Sequence, residues 1–258
     1  MPLQTVTIGD FSVRVWSEGE GPPLLYLHGY EGHPGDAPFL QRLAQTCNVI
    51  APEMPGYGES TGFDAIDGVL AMTLFQRSLV EKLVPGAVDV LGHDLGGMLA
   101  AEFAAICPHL TRRLILVDAY GLWIDETPVP DPFVLNEKLL AAAKWANPES
   151  AARETSIFVH DPANPTASIL ERAKNLSIAT KFMWPIADRG LRGRLQYVTA
   201  PTLVVHGEAD GLIPAVYADE FGRLISGAKV ERIPGAGHVP MVEQEDAFVA
   251  LVEAFLTG

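Results

Sequence analysis

The stretch Gly92-His93-Asp94-Leu95-Gly96-Gly97 follows the apolar run Ala87–Leu91 and opens a segment of helical spacing, Leu95–Cys107. Glycines two residues to either side of Asp94 let the chain turn sharply from strand to helix. The central side chain is then thrust out at the carboxyl edge of a sheet, the layout of a nucleophile elbow. The displayed group here is a carboxylate. At the amino end of a helix the backbone dipole and free N–H groups favour its ionised form. A solvated aspartate capping the helix would also fit this turn, so the rest of the chain has to decide between the two roles.

Outward from the elbow, short apolar runs at Leu24–Leu27, Val49–Ala51, Val88–Leu91, Leu114–Val117 and Leu203–His206 alternate with longer segments of helical spacing. That rhythm predicts a parallel sheet wrapped by helices. Val6–Ile8 and Ser12–Trp16, joined through Gly9-Asp10, predict an opening hairpin. Helices are expected over Pro38–Ala44, Ile66–Leu83, Leu95–Cys107, Ala215–Ile225 and Val239–Leu256. From about Gly121 to Tyr197 no strand-like run occurs, while Phe133–Lys144 and Thr166–Met183 have helical spacing. A helical insertion between two parallel strands lies over the carboxyl edge, where Asp94 is displayed, and reads as a lid. The expected organisation is an α/β core over residues 1–119 and 198–258, with a helical cap over 120–197 inserted after the sixth strand.

Composition narrows the function classes. Thirty-two acidic against 18 basic residues give a formal charge of −14, which repels nucleic-acid phosphates and anionic lipid surfaces. No nucleic-acid or membrane partner is therefore expected. Cys47 and Cys107 have no metal-like spacing and form no disulfide framework. Residues 1–10 lack the basic start and apolar run of a signal peptide, and Leu95–Ile106 is too short to span a bilayer. These features predict a cytoplasmic protein, monomeric or homodimeric. No ligand cluster or phosphate-binding glycine loop appears, so neither metal nor organic cofactor is expected.

Three further motifs fall at the ends of expected strands: His28-Gly29-Tyr30, then Gly207-Glu208-Ala209-Asp210, then Gly235-Ala236-Gly237-His238 after the last strand, Val230–Ile233. The order Asp94, Asp210, His238 matches the nucleophile, acid, histidine order of α/β-hydrolases. On these four motifs essentially the whole chain resembles an α/β-hydrolase with a helical cap. The elbow is similar to that of the epoxide hydrolase and dehalogenase branches, which use an aspartate nucleophile. The resemblance implies Asp94 as nucleophile, His238 as base and Asp210 as its partner, with the N–H groups of Tyr30 and Leu95 as the oxyanion hole. Asp118, at the end of the sixth strand, competes with Asp210 for the histidine. His28 and Glu53 read as loop braces and His93 as structural.

An aspartate changes the substrate class. If it attacked an ester carbonyl, the carboxylate, with a parent pKa of about 3.9, would be expelled in preference to an alkoxide, and the attack would mostly reverse. Attack at a saturated carbon bearing a halide, or at an epoxide carbon, instead leaves an alkyl ester on the enzyme that water activated by His238 cleaves.

Glu31, Trp123, Trp145, His160 and Trp184 are the candidate pocket walls for a small hydrophobic substrate. Several subfamily marks are missing. Residues 121–190 contain no tyrosine, position 31 is glutamate where those epoxide hydrolases carry proline, and Leu95 stands where haloalkane dehalogenases commonly place tryptophan. Two alternatives therefore stand beside the aspartate-nucleophile reading. One is a relative of the serine-lineage esterases, lactonases or carbon–carbon hydrolases in which Asp94 replaces serine, as an altered nucleophile or a general base. The other is a ligand-binding member of the fold without turnover.

Overall fold

The computed structural model describes residues 4–149 and 165–258. Its eight strands are β1 Gln4–Ile8, β2 Phe11–Glu18, β3 Pro23–Leu27, β4 Asn48–Pro52, β5 Val88–His93, β6 Thr111–Val117, β7 Thr202–Gly207 and β8 Lys229–Ile233. They form one sheet in the order β1-β2-β4-β3-β5-β6-β7-β8. The opening hairpin turns between Ile8 and Phe11, and β2 pairs antiparallel with β4. Apart from these two antiparallel pairings, β1–β2 and β2–β4, every pairing is parallel.

Successive side chains of a strand point to opposite faces, and a parallel sheet is covered on both. Leu25, Leu27, Val90, Leu114, Leu116 and Val204 accordingly join one apolar cluster. Leu24, Tyr26, Leu91, Ile115, Val117, Leu203 and Val205 join the other. On the first face lie α2 (Val69–Leu83) and α3 (Leu95–Ile106), through Met72, Phe75, Leu79, Met98 and Phe103. The second face is covered by α1 (Pro38–Leu43) and the C-terminal helix, whose stripe Phe248, Val249 and Val252 is buried. Burial of each such side chain contributes about 2 kcal/mol.

The helix boundaries depart from the sequence pattern where polar groups intervene. The helix expected from Ile66 starts at Val69, after a 3-10 turn at Phe63–Ala65. The one expected from Phe133 starts as α4 at Glu137 and runs to Lys144, because Asn136 Oδ1 accepts the Leu139 N–H at 3.0 Å and caps it. In the same segment α5 spans Pro165–Met183 and α6 spans Leu191–Arg194. After β7 comes α7, Val216–Leu224. The single helix expected over Val239–Leu256 is two, α8 Pro240–Glu243 and α9 Glu245–Thr257, with Gln244 between them outside helical geometry. The Glu243 carboxylate is engaged elsewhere, accepting the N–H groups of Gly237 at 2.6 Å and Ala146 at 2.9 Å. Among the described residues no strand lies between β6 and β7, and no helix is long and apolar enough to cross a membrane.

Candidate active site

The buried strand β5 lies between β3 and β6 and delivers the chain to Asp94, whose backbone sits at φ 59° and ψ −121°. Such a conformation costs a non-glycine residue on the order of 1–3 kcal/mol and persists only where the surroundings impose it. Here they do. The Asp94 N–H donates to Val117 O at 3.0 Å, and its carbonyl accepts from Gly97, Met98 and Tyr120 N–H. A Cβ on Gly92 would stand 2.2 Å from Gly96 O, and one on Gly96 would stand 2.0 Å from Leu27 O. The turn therefore closes only with glycine at both places.

Asp94 is buried, and its carboxylate does not cap α3. Instead Oδ2 accepts the Tyr30 N–H at 2.9 Å, while Oδ1 is buried with no hydrogen-bond partner among the described residues. The Leu95 N–H, the second donor expected for the oxyanion hole, belongs to the first residue of α3 and makes no hydrogen bond to the resting carboxylate.

His238 follows β8 in the loop before α8. Its Nδ1 is 2.8 Å from Asp210 Oδ2 and its Nε2 is 3.8 Å from Asp94 Oδ1. Asp210 Oδ1 accepts the N–H groups of Leu212 at 2.7 Å and Ile213 at 3.0 Å. Burial pushes the Asp210 carboxyl up, but the His238 charge, the bond to it and the Ile213 N–H hold it below its ordinary value. Burial likewise opposes a charged imidazole, yet Asp210, with Asp94 beyond it, holds His238 well above its ordinary value. The competing Asp118 makes no hydrogen bond to His238; its Oδ1 accepts Gly207 N–H at 2.9 Å and lies 3.0 Å from His206 Nδ1.

The surrounding loops are braced. Met54 N–H donates to His28 Nε2 at 3.0 Å, which leaves Nδ1–H to donate to Gly29 O at 2.8 Å and fixes a neutral ring under the Tyr30 loop. Burial lowers His28 to about 3. Glu53 accepts from Glu59 N–H, Ser60 N–H and Ser60 Oγ. His93 Nε2 is 2.7 Å from His238 O. Glu31 pairs with Lys144, and its carbonyl accepts Asn175 Nδ2 at 2.7 Å, so α4 and α5 both grip the loop that carries Tyr30. The C-terminal carbonyls of α4 are claimed by the candidate acid and base loops, with His238 N–H donating to Lys144 O at 2.7 Å and Gly211 N–H to Ala143 O at 2.8 Å.

The structure thus brings together Asp94, Asp210, His238 and Tyr30. It places the expected wall residues differently. Trp145 is buried in the apolar cluster of the α1/α9 face and packs there. Trp184 is 46% exposed with its ring edge against Phe133, and Trp123 Nε1 donates to Asp125. Glu31 is engaged with Lys144, and His160 lies outside the described residues. Tyr120, which the sequence motifs do not single out, lies beside the site. Its N–H bonds Asp94 O at 3.2 Å and its ring is 6.2 Å from that of His238. The available signal was its place just past β6, at the same sheet edge as Asp94.

Asp118, His206 and Asp210 bring ligand atoms within 4.8 Å of one another. A cation there would compete with His238 and two backbone N–H groups for Asp210, so this trio serves hydrogen bonding first.

A mostly parallel sheet that displays an acidic elbow after β5, with an acid after β7 and a histidine after β8, is the layout of a hydrolytic enzyme. Residues 24–251 match the profile of the Alpha/beta hydrolase family, and the chain belongs to that family as a hydrolase. Lipase 1 of Psychrobacter immobilis is 26% identical over 270 residues, covering 99% of this chain and 84% of the relative. The 2-hydroxy-6-oxo-2,4-heptadienoate hydrolase of Pseudomonas putida is 25% identical over 266 residues, covering 98% and 95%. Among solved structures, a serine hydrolase involved in carbazole degradation superposes with a TM-score of 0.78 at 22% identity, over 99% of this chain and 98% of that one.

Proposed function

We propose that the protein hydrolyses a small, largely apolar substrate through an alkyl ester formed on Asp94, with the segment 120–197 selecting the substrate. The observation that carries this reading is the inequality of the two Asp94 oxygens. Oδ2 is held by the Tyr30 N–H, whereas Oδ1 accepts no hydrogen bond from the described residues and lies 3.8 Å from His238 Nε2. A carboxylate with one oxygen anchored and one bare is prepared to attack a saturated carbon. After attack Oδ1 bears the alkyl group and Oδ2 becomes the ester carbonyl oxygen, already seated on the N–H that stabilises the oxyanion of hydrolysis. Alkylation also removes the Asp94 charge that helps hold the His238 proton, so the ring is released to act as base.

The test replaces the base. In His238→Gln the first step survives and the second stops, so an epoxide or bromoalkane substrate leaves a stable adduct on the peptide containing Asp94, read by intact-protein and peptide mass spectrometry. Turnover by wild type with no adduct in the variant, or an adduct elsewhere, rejects the mechanism.

The names of the relatives favour a second reading, in which the protein is an esterase or carbon–carbon hydrolase relative with Asp94 as general base. Aryl esters assayed beside epoxides and haloalkanes separate the two. Ester turnover in wild type that survives in Asp94→Ala leaves Asp94 no role as nucleophile.

A further inference from the structure

A carboxyl group that the chemistry above does not use lies beside Asp210. Asp118 follows β6, is fully buried and has its backbone in the left-handed region at φ 42°, a conformation uncommon for a non-glycine residue. Its N–H donates to Val205 O at 3.0 Å, which ties it to β7. Its Oδ1 accepts Gly207 N–H at 2.9 Å and lies 3.0 Å from His206 Nδ1. Its Oδ2 is also buried, and accepts no N–H or O–H from the described residues. Asp118, His206 and Asp210 bring polar side-chain atoms within 4.8 Å of one another.

Two carboxyl groups this close and out of water do not both ionise unless cations offset them. The ring nearest Asp118 supplies none, because burial lowers His206 and leaves it a neutral donor. His238 is held by Asp210 at 2.8 Å, and the charge of Asp94 already lies on its far side. Arg232 on β8 acts on His206 but is paired with Asp219. Glu243 on α8 and Tyr120 after β6 are both raised by the Asp210 charge. Asp210 is the member built to carry that charge, with the N–H groups of Leu212 and Ile213 on one oxygen and the imidazole on the other.

We infer that Asp118 is a carboxylic acid in the resting enzyme, that its O–H donates to Asp210, and that this shared proton sets the pH at which His238 becomes a base. Asp118 acts through Asp210 and is a positioning residue. Ionised, it would add its charge to that of Asp210, and His238 would release its proton only at high pH. As an acid it draws charge from Asp210 instead and brings the base nearer to neutral pH. The two carboxyls are pushed apart accordingly. Burial raises Asp118 and the Asp210 charge raises it further, whereas Asp210 is held low. The proton is independent of the role of Asp94, while its effect on rate rests on the reading of His238 as the hydrolytic base.

The test has a spectroscopic arm and a kinetic one. In protein labelled with carbon-13 at its aspartate carboxyl groups, carbon NMR at neutral pH should show a protonated carboxyl that is missing from Asp118→Asn. No protonated aspartate in the wild type, a result that needs no variant, overturns the inference, as does a signal that survives the substitution. The kinetic arm follows the pH profile of kcat on styrene oxide and 1-bromobutane. Asp118→Asn exchanges an acid O–H for an amide N–H of the same shape, so the rising limb should stay within about half a pH unit of the wild type or move above it. A limb displaced further downward overturns the inference, since it means that a negative charge has been removed beside Asp210. Loss of the NMR signal with no rising limb in either protein would overturn His238 as base and leave the shared proton in place. Turnover of neither probe would count against the alkyl ester on Asp94, and the NMR result would still decide where the proton resides.

Discussion

His238 Nε2 and Asp94 Oδ1 stand 3.8 Å apart, while Asp210 holds the other side of the imidazole at 2.8 Å. The longer separation is beyond a hydrogen bond, yet it places Nε2 within reach of a water approaching the carbonyl carbon of an Asp94 ester. On the proposed alkyl-ester mechanism the oxygen transferred to product comes from Asp94, and the water oxygen replaces it in the carboxylate. With enzyme in excess over substrate in heavy-oxygen water, the first product should carry unlabelled oxygen and the peptide containing Asp94 should gain the label. Direct labelling of product in a single turnover would place the water attack on the substrate itself.

The hold of Asp210 on His238 predicts a pH profile. The hydrolytic step needs a neutral ring, and His238 lies well above its ordinary value, so kcat should rise with pH above neutrality. In Asp210→Asn the burial that opposes the charged ring is no longer outweighed, and the rising limb should move to lower pH. Activity should still fall by about 10³- to 10⁴-fold, because the imidazolium formed in the transition state loses its partner. A limb that stays in place would mean that His238 is not the titrating base.

Three other histidines set an acid limit on stability. Burial, as the largest cause, lowers His28 to about 3, His33 to about 4 and His93 to about 4, against 6.5 in the unfolded chain. Each is neutral in the fold and protonated in the unfolded chain between those values. The stability they contribute is complete above pH 6.5 and is lost as pH falls toward 4, with a limiting slope of about 1.4 kcal/mol per pH unit for each. His238 works in the opposite sense, stabilising below 6.5 and losing that contribution as pH rises through its raised value. Urea titrations at pH 7 and pH 5 should show a marked drop in midpoint at the lower pH, and equal midpoints would contradict it.

The sheet was legible in the sequence because a buried parallel strand is a short apolar run with a turn at its carboxyl end. The motifs at Tyr30, Asp94, Asp210 and His238 are turns of this kind, so spacing and chain order sufficed to bring them together. Legibility failed where a polar side chain overrode the pattern, as with the Asn136 cap and the break at Gln244. It also failed for side chains whose partners are distant in sequence. Trp145 has the residue type of a pocket wall, but its place in the apolar cluster depends on where the α4 terminus docks. Tyr120 carries no motif, and only the approach of its N–H to the Asp94 carbonyl brings it into the site.

That docking of α4 bears on how far the molecule is modular. The proposed cap segment, residues 120–197, is a tempting unit to exchange between relatives, since it occupies one uninterrupted stretch of chain. Yet the carbonyls of Ala143 and Lys144 fasten the loops of Gly211 and His238, and the Lys144 side chain reaches the loop of Tyr30. A foreign segment spliced across 120–197 would therefore arrive without these fasteners. A graft that keeps residues 137–146 from this chain and exchanges the segments around them would preserve those fasteners, leaving substrate preference free to change.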